Sequence, residues 1–321
     1  MAHSFGLVAD VGGTNIRLQL VDLKTGEVSQ LRKYLCADHP TIVAAIQTYL
    51  ADCGNPDVVT GCIAIACPTN DDWIAMTNHS WAFSRQLTQA ELGWRSLHMI
   101  NDYTAIAMSL PHLDRSQAVQ MGGGAPIYGA PIAVLGPGTG LGVAHLVQVD
   151  GKWQALPGEG GHVDFAPNSE EEIAILRFLM KRYAHVSVEQ LLSGPGIVQI
   201  YEAQAEILGQ PVVFTEAAEI TGAALGERCP VAMATLASFC AILGSVAGNL
   251  ALTIGAFGGV YVAGGIVPRF LGYFENSAFR QRFEAKGRFT AYNGRIPTFV
   301  VIEEQPGLVG ARAYLMQTEA A

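Results

Sequence analysis

Residues 5–35 show the alternation of apolar and polar positions that is typical of β-strands. Phe5–Val11 is a short apolar run, and Ile16–Leu20 then alternates between apolar and polar side chains, as a strand with one buried face does. After a turn that contains Gly26, Val28–Leu35 has the length and composition of a third strand. The pattern predicts an antiparallel meander at the start of the chain.

Helical and strand patterns alternate further along the chain, which predicts a mixed α/β protein. Thr41–Leu50 places its apolar residues on one helical face. Val58–Cys67 and Leu97–Ile100 are short apolar runs that predict buried strands. The later predicted elements are helices at Thr104–Leu110, at Asn168–Arg182 with Asn168 as its cap, from Ser187-Val-Glu-Gln190 onward, at Val231–Leu252, around Arg269–Phe274 and at Gly307–Gln317, and strands at Val260–Ala263 and Thr298–Ile302.

The opening pattern returns in the middle of the chain. The apolar run Ile132–Leu135 is followed by a glycine-rich turn and by two strand patterns on either side of Asp150-Gly151, a dipeptide typical of hairpin turns. Gly138-Thr139 stands in this second segment where Gly13-Thr14 stands in the first. The shared order of strand, Gly/Thr turn, strand and hairpin indicates a duplicated unit.

Composition narrows the class of protein. Half of the 321 residues are hydrophobic and 15% are charged, so the chain can bury a sizeable core and is not intrinsically disordered. The formal net charge of −9 argues against a nucleic-acid partner, because nucleic acids are bound by positive surfaces. The apolar stretch Ala241–Ile266 contains several glycines, which favours a buried helix and turn over a membrane span.

The cysteines and the N-terminal residues indicate the compartment. None of the six cysteines forms a CxxC pair or joins histidines at zinc spacing, so we expect free thiols in a reducing compartment. No basic segment precedes an apolar run at the N-terminus, and we therefore expect no signal peptide. The chain is predicted to be cytoplasmic, without a membrane partner.

Two glycine-rich bends are candidates for phosphate binding. In Asp10–Asn15, two glycines let backbone amides point at an anion, Thr14 adds a hydroxyl, and Asp10 can hold hydrated Mg²⁺. The bend is neither a Walker A loop nor a Rossmann turn, because a strand follows the glycines. Gly136–Gly142 is the equivalent bend of the second unit, with Leu135 where Asp10 stood. One such bend can be an ordinary hairpin, whereas two can hold a polyphosphate between them.

Three further motifs carry polar or glycine residues at the ends of predicted strands. Asn101-Asp102 precedes an Ala-rich helix; Asp102 either caps this helix or accepts the proton of an attacking hydroxyl, which Asn101 would orient. In Pro157–His162, glycines leave Glu159 and His162 free to meet a small polar ligand, although a turn with a solvated Glu is the alternative. The position of Glu189 near the N-terminus of a predicted helix is explained by the helix dipole alone. Gly264-Gly265 suits close approach of a nucleobase or of backbone.

Together these motifs resemble the sugar-kinase branch of the actin–hexokinase ATPase superfamily, and most closely the bacterial glucokinases of the non-ROK type. The resemblance covers nearly the whole chain and is most specific in LPGEGGHVDFAPNSEEE, residues 156–172. It implies an α/β fold of two ribonuclease H-like lobes around an interlobe cleft. The small lobe would comprise residues 1–111 plus 307–321 and the large lobe residues 112–306. The resemblance also implies a homodimer.

The resemblance implies a reaction and a role for each motif. The reaction is the ATP- and Mg²⁺-dependent phosphorylation of D-glucose at O6, the first step of glycolysis, without zinc. Asp102 matches the catalytic base at the 6-hydroxyl. The other matching positions are Asn101, Glu159, His162 and Glu189 for glucose hydroxyls, Asp10, Gly12, Gly13, Thr14 and Asn15 for the first phosphate loop, Gly138, Thr139 and Gly140 for the second, and Gly264 and Gly265 for adenosine.

Other functions remain open at this point. Repressor-type sugar kinases carry a Cys-rich zinc motif soon after their E-x-G-H motif, and this chain has no cysteine between Cys67 and Cys229. A kinase for another hexose, such as mannose, fructose or glucosamine, is one alternative. A non-catalytic sugar sensor or an actin-like assembly protein is the other. The pair Asn101-Asp102 beside two phosphate loops argues against a sensor, because a sensor needs no base.

Overall fold

The computed structural model describes residues 4–77 and 79–320. The chain divides into two compact units, of which the first comprises Met1–Leu113, Lys152–Pro157 and Glu303–Ala321 and the second Asp114–Gly151 and Gly158–Ile302. The strands are β1 Phe5–Val11, β2 Asn15–Asp22, β3 Val28–Leu35, β4 Val58–Ile65, β5 Trp73–Ala75, β6 Ala82–Ser84, β7 Ser96–Asn101, β8 Ala118–Gly122, β9 Ile132–Pro137, β10 Leu141–Val149, β11 Lys152–Gly158, β12 Gly259–Val262 and β13 Thr298–Val301. The α-helices are α1 Ile42–Asp52, α2 Arg85–Leu92, α3 Asp102–Ser109, α4 Glu170–Leu179, α5 Gly194–Leu208, α6 Ala217–Leu225, α7 Pro230–Ile254, α8 Leu271–Glu275, α9 Phe279–Glu284, α10 Thr290–Arg295 and α11 Pro306–Glu319.

A five-stranded sheet in the order β3-β2-β1-β4-β7 forms the centre of the first unit. Strands β1, β2 and β3 form the predicted antiparallel meander, while β4 and β7 continue the sheet in parallel with β1. Val11 pairs with Ile65, and Ile65 pairs with Asn101. The carboxyl ends of these three parallel strands therefore lie at one edge of the sheet, which is where ligands bind in open α/β sheets.

Helices α3 and α11 cover one face of this sheet. They pack so closely that a Cβ atom built on Gly310 would lie 1.6 Å from the carbonyl oxygen of Ala105. Only glycine fits at such a contact, so Gly310 fixes how α11 lies against α3. The start of α11 is thereby placed near the end of β1, where Gly307 faces Asp10.

The strands of the second unit follow the order β10-β9-β12-β13-β8. Strand β9 is antiparallel to β10 and parallel to β12, just as β1 is antiparallel to β2 and parallel to β4. This shared topology agrees with the duplication that the sequence predicts. Leu135 pairs with Val262, so the glycine-rich segments that follow β9 and β12 leave the sheet at the same edge.

Helix α7 explains the most apolar stretch of the chain. Among the described residues it is the one helix long and apolar enough to cross a membrane, yet 72% of its most apolar window is buried inside the protein. A Cβ atom on Gly244 would lie 2.2 Å from the carbonyl oxygen of Phe279, and one on Gly248 would lie 2.5 Å from that of Phe283. Its glycines thus serve close packing against α9, as the sequence predicts for a core helix.

Several element boundaries differ from those predicted. Helix α4 is capped by Ser169, whose Oγ accepts a hydrogen bond from Glu172 N at 3.1 Å, and the predicted cap Asn168 instead donates its backbone N–H to Glu172 Oε2. The capping box at Ser187 is present but begins a single 3₁₀ turn, Val188–Gln190. The helix predicted around Arg269–Phe274 is divided between a 3₁₀ turn, Val267–Phe270, and α8.

Candidate active site

The first glycine-rich bend joins β1 to β2. Gly12 N donates to Asn15 O at 3.0 Å and thereby closes the hairpin, and Thr14 O accepts from Cys36 N at 2.9 Å. A Cβ atom on Gly12 would meet its nearest atom, Asn15 O, only at 3.8 Å. Thr14 is exposed at the tip. The bend is therefore an open backbone concavity with one hydroxyl, an arrangement suited to an anion.

Asp10 lies at the edge of the sheet beside this bend. Burial raises the pKa of Asp10, and the positive charge of Arg17, whose Nη1 is 3.8 Å from Asp10 Oδ2, opposes that shift. A Cβ atom on Gly307 would lie 3.0 Å from Asp10 Cγ. The missing side chain at Gly307 leaves room for the carboxylate, which is suited to a hydrated cation.

Asn101 and Asp102 stand at the junction of β7 and α3. The structure assigns the cap to Asn101, because its Oδ1 accepts hydrogen bonds from Tyr103 N at 2.9 Å and Thr104 N at 3.4 Å. The capping role considered for Asp102 is therefore wrong: Asp102 is the first residue of the helix. Its Oδ1 accepts a hydrogen bond from Tyr103 N at 3.0 Å.

Asp102 has a strongly altered acidity. Burial is the main reason that its pKa rises to about 6 from an ordinary 3.8, and the nearby charge of Asp10 raises the pKa further. The hydrogen bond from Tyr103 N opposes the shift, because it favours the charged form. A carboxyl group with such a pKa is ionised at neutral pH and is also basic enough to take a proton.

The second glycine-rich bend borders a cavity of about 830 Å³ within the second unit. Gly138 N donates to Gly140 O at 2.8 Å, and Gly138 O accepts from Gly194 N at 2.8 Å, so the start of α5 holds the bend. The cavity is lined by Gly138-Thr139, by α5, by the beginning of α6 and by the turn Val267–Phe270. Its size is that of a site for a nucleotide-sized ligand.

Gly264 and Gly265 differ in what they do. Gly264 has a left-handed backbone, with φ of 85°, and a Cβ atom on it would lie 2.5 Å from Pro137 O. Gly265 lines the cavity, and a Cβ atom on it would meet nothing within 4 Å. The first glycine thus allows backbone to pack on backbone, and the second leaves space for a ligand; the sequence predicted both uses without separating the two positions.

Glu159, His162 and Glu189 are placed around the start of β10. Glu159 precedes the 3₁₀ turn Gly160–His162, and both its side chain and that of His162 are exposed. Glu189 Oε1 lies 3.9 Å from His162 Nε2, and Glu189 Oε2 accepts a hydrogen bond from Leu141 N at 2.8 Å. The helix dipole alone, which explained Glu189 from the sequence, does not account for these contacts.

The described part of the chain gives no sign of a metal cluster. Within residues 4–77 and 79–320, no three His, Cys, Asp or Glu side chains come together as potential ligands. Of the described cysteines, Cys36, Cys62, Cys67 and Cys240 are buried as free thiols. Burial raises the pKa of Cys62 and of Cys240, which disfavours their thiolate forms.

Comparison with known proteins identifies the family. The glucokinase family model matches residues 7–318, and a glucokinase of Klebsiella pneumoniae (strain 342) is 52% identical over 314 residues, which cover 98% of each chain. The chain belongs to the glucokinase family. The resemblance inferred from its motifs is confirmed.

Solved structures support the same fold. The crystal structure of a glucokinase from an Antarctic psychrotroph superposes with a TM-score of 0.91 at 37% identity and covers 98% of this chain and 99% of its own. A ROK-family glucokinase from Streptomyces griseus, in complex with glucose and AMPPNP, has a TM-score of 0.64 at 21% identity and covers 98% and 99% of the two chains; it bears on the fold alone. This chain has the actin/hexokinase-like ATPase fold that the motifs implied.

The cavity also contains residues that the sequence did not indicate. Arg182, Tyr183 and the segment 215–218 line it together with Arg269. Arg182 looked like a cation at a helix C-terminus, and its guanidinium in fact pairs with Glu202 of α5. No motif includes Arg182, Tyr183 or the segment 215–218, because helices that are distant in the chain bring these residues to the cavity when they pack together.

Proposed function

We propose that this chain is a glucokinase that transfers the γ-phosphoryl group of ATP to O6 of D-glucose and releases glucose 6-phosphate and ADP. The observation that carries the proposal is a buried aspartate, Asp102, at the sheet edge that also bears the phosphate-binding bend of β1. Its raised pKa and its position at the end of a parallel strand are those of a general base. Membership in the glucokinase family supports the substrate.

Asp102 acts as the base in this proposal. As the O6–phosphorus bond forms and the bond from the γ-phosphorus to its bridging oxygen breaks, the proton of the 6-hydroxyl passes to the carboxylate of Asp102. Asn101 orients the same hydroxyl. Its Nδ2 donates one N–H to Cys67 O at 3.4 Å, and the second N–H of the amide can donate to the sugar. The fixed position of the base supplies the in-line geometry that such a transfer needs.

Carboxylates and an imidazole recognise the sugar. Glu159 and Glu189 accept hydrogen bonds from glucose hydroxyls, and His162 donates or accepts one. Carboxylate acceptors are well suited to an uncharged polyol, because hydrogen bonds to an ionised acceptor are stronger than neutral ones. The exposure of Glu159 and His162 supports this role, since their polar atoms can be reached.

The glycine-rich segments bind the nucleotide. Residues 12–15 and 138–140 provide amides and the hydroxyls of Thr14 and Thr139 for the phosphates, and Gly264-Gly265 leaves room for adenosine. The open space beside Gly12 and Gly138 fits close approach of phosphate oxygens to backbone. Asp10 would hold Mg²⁺ through water, and the ion would neutralise charge on the phosphates. No zinc is part of the proposal.

The assembly and location also remain part of the proposal. We propose a homodimer in the cytoplasm, with no nucleic-acid or membrane partner. The net charge of −9 supports the absence of a nucleic-acid partner. Sedimentation velocity at micromolar concentration measures the first point directly, because a monomer has a mass of 34.1 kDa.

A substrate panel tests the proposed function. Purified protein is assayed for ADP release with ATP and Mg²⁺ and with glucose, mannose, fructose or glucosamine, and the product is identified by ³¹P–¹H NMR. The proposal requires glucose to give the highest kcat/KM and phosphate at O6. A higher kcat/KM for another hexose identifies the chain as a kinase for that sugar, and glucose binding without ADP release identifies a sensor.

A further inference from the structure

We propose that Glu189 is a positioning residue that couples sugar binding to the second phosphate loop, so that glucose and nucleotide tighten each other's binding. The inference rests on the proposed function for the identity of the two ligands. It is carried by the carboxylate of Glu189, which lies between the second phosphate loop and the turn that contains His162. One oxygen faces the sugar-binding turn, which is residues 159–162. The other accepts a hydrogen bond from Leu141, the first residue after the phosphate loop.

The two oxygens of Glu189 have different partners. Oε2 accepts a hydrogen bond from Leu141 N at 2.8 Å, and Leu141 directly follows Gly140 of the loop. Oε1 lies 3.9 Å from Nε2 of His162, and 31% of the Glu189 side chain is exposed. One oxygen is thus engaged with the backbone of the loop, while the other is available to a hydroxyl group.

The rest of the loop is anchored to the same short segment. Gly194 N donates to Gly138 O at 2.8 Å. Ser193 caps α5 with its Oγ and also donates that hydroxyl to Glu189 O at 2.8 Å. The backbone of Glu189 and both ends of the loop therefore belong to one hydrogen-bonded frame, in which a displacement of the carboxylate is transmitted to Leu141 N.

Leu141 also links the loop to the sugar-binding turn. A Cβ atom on Gly161 would lie 2.2 Å from Leu141 O, so the backbone of the turn lies against the backbone that Glu189 holds. A ligand that fixes the Glu159–His162 turn and the Glu189 carboxylate reduces the freedom of Leu141. The loop then loses less conformational entropy when a phosphate binds, and the two ligands bind cooperatively.

Thermodynamic linkage makes the coupling measurable from either side. If glucose lowers the dissociation constant of the nucleotide by some factor, the nucleotide lowers that of glucose by the same factor. For coupling between sites in one protein, we expect a factor of at least about five. AMPPNP, which is not hydrolysed at the γ-position, allows both dissociation constants to be measured by titration calorimetry without turnover.

Gly140→Ala is the sharpest variant. The backbone of Gly140 is not left-handed, and the three atoms nearest to a built Cβ all belong to Glu189, with Oε2 at 2.6 Å and Cδ at 3.3 Å. The methyl group must displace the carboxylate. We expect the coupling factor to fall to near one, while Gly272→Ala, whose Cβ would meet nothing within 4 Å, keeps the wild-type factor.

A double-mutant cycle separates this effect from a general disturbance of the loop. In a Glu189→Ala background, Gly140→Ala has no carboxylate to displace and is expected to leave the coupling factor where Glu189→Ala alone puts it. Glu189→Gln retains an oxygen that accepts from Leu141 N, and its factor is expected to lie between those of the wild type and Glu189→Ala. If Gly140→Ala does not fold, the comparison of Glu189→Gln with Glu189→Ala carries the same test.

The outcomes distinguish the coupling from the proposed function. A wild-type factor of at least about five that is lost in Gly140→Ala and Glu189→Ala supports the coupling. A factor of one in the wild type, or an unchanged factor in Gly140→Ala, overturns the coupling and leaves the kinase assignment intact. If the wild type binds AMPPNP but no glucose, the proposed function is what fails.

Discussion

Asn101 caps helix α3, and the neighbouring Asp102 is the first residue of that helix. The Asn101 Oδ1 accepts hydrogen bonds from Tyr103 N and Thr104 N, and Asp102 Oδ1 also accepts from Tyr103 N. Burial of the Asp102 carboxylate outweighs the hydrogen bonds that favour its charged form, and its pKa is therefore raised. Because Asn101 is the helix cap, the carboxylate of Asp102 is available for the base role that we propose for it.

The pH dependence of turnover follows from this acidity. Burial raises the pKa of Asp102 to about 6, and a general base works only in its ionised form. We expect kcat/KM for glucose to be constant above pH 7 and to fall tenfold per pH unit well below pH 6. Initial rates at constant ionic strength from pH 5 to 8 measure this. A profile that stays flat down to pH 5 would remove Asp102 from the base role.

The same shift predicts that Asp102 destabilises the folded protein at neutral pH. The pKa of Asp102 is about 6 in the folded state against an ordinary 3.8. Between pH 3.8 and pH 6, the folded state therefore holds a proton that the unfolded state has lost. The contribution of the carboxyl group to stability is therefore complete below pH 3.8 and is lost as the pH rises through 6. Above pH 6 the charged form opposes folding.

Asp102→Asn is expected to raise the free energy of unfolding at pH 7.5 by about 1–3 kcal/mol. The neutral amide avoids the desolvation cost and can still accept from Tyr103 N. The gain is expected to shrink as the pH falls toward 4. Urea unfolding at pH 7.5 and 4.5 measures it, with the exposed Asp71→Asn as the control. A loss of stability at pH 7.5 would contradict the assigned environment of Asp102.

Glu159→Gln tests the sugar-binding turn. We expect it to raise the KM for glucose by about tenfold or more, because a charged hydrogen-bond acceptor is lost. The KM for ATP is expected to stay within about twofold, as the carboxylate is assigned to the sugar alone. Steady-state kinetics with each substrate varied in turn measure both constants. Glu275→Gln, an exposed glutamate at the end of α8, is the matched control.

A weaker ATP affinity in Glu159→Gln with unchanged glucose affinity would reverse the assignment. The turn Glu159–His162 would then belong to the nucleotide site. A rise in both KM values together with a lowered thermal midpoint would instead report a damaged fold, and circular dichroism of each variant excludes or reveals that case.

The adjacent pair Gly264 and Gly265 offers an internally controlled test of the second unit. Gly264→Ala puts a methyl group 2.5 Å from Pro137 O in a left-handed backbone and is expected to cost about 1–3 kcal/mol of stability. Gly265→Ala meets nothing within 4 Å and is expected to change stability by less than about 0.5 kcal/mol. Thermal unfolding without ligand compares them. Equal losses for the two variants would contradict the packing described for Gly264.

Much of the fold could be predicted from local patterns. The alternation at Ile16–Leu20 and the turn before Val28 were enough for the β1–β3 meander, and the glycines after Leu135 were enough to locate the second hairpin. These patterns could be interpreted locally because each lies within one strand–turn–strand segment. The family resemblance added the roles that we propose for the site residues.

What could not be predicted depends on contacts between distant segments. Glu189 looked like an ordinary acid in a first helical turn, and only the folded chain brings its carboxylate to Leu141 N. The choice of Asn101 over Asp102 as the cap depends on side-chain geometry that both residues can adopt in principle. Arg182 and the segment 215–218 line the cavity through helix packing, for which the sequence carries no local signal.

The most direct test of the central claim is to compare kcat and glucose affinity in Asp102→Asn and the wild type. The base role predicts that kcat falls by about 10²-fold or more, while the dissociation constant for glucose, measured by titration calorimetry, changes by less than about tenfold because the side chain keeps its shape. A kcat within about threefold of the wild type, with glucose still bound and phosphorylated at O6, would contradict the assignment of Asp102 as the catalytic base.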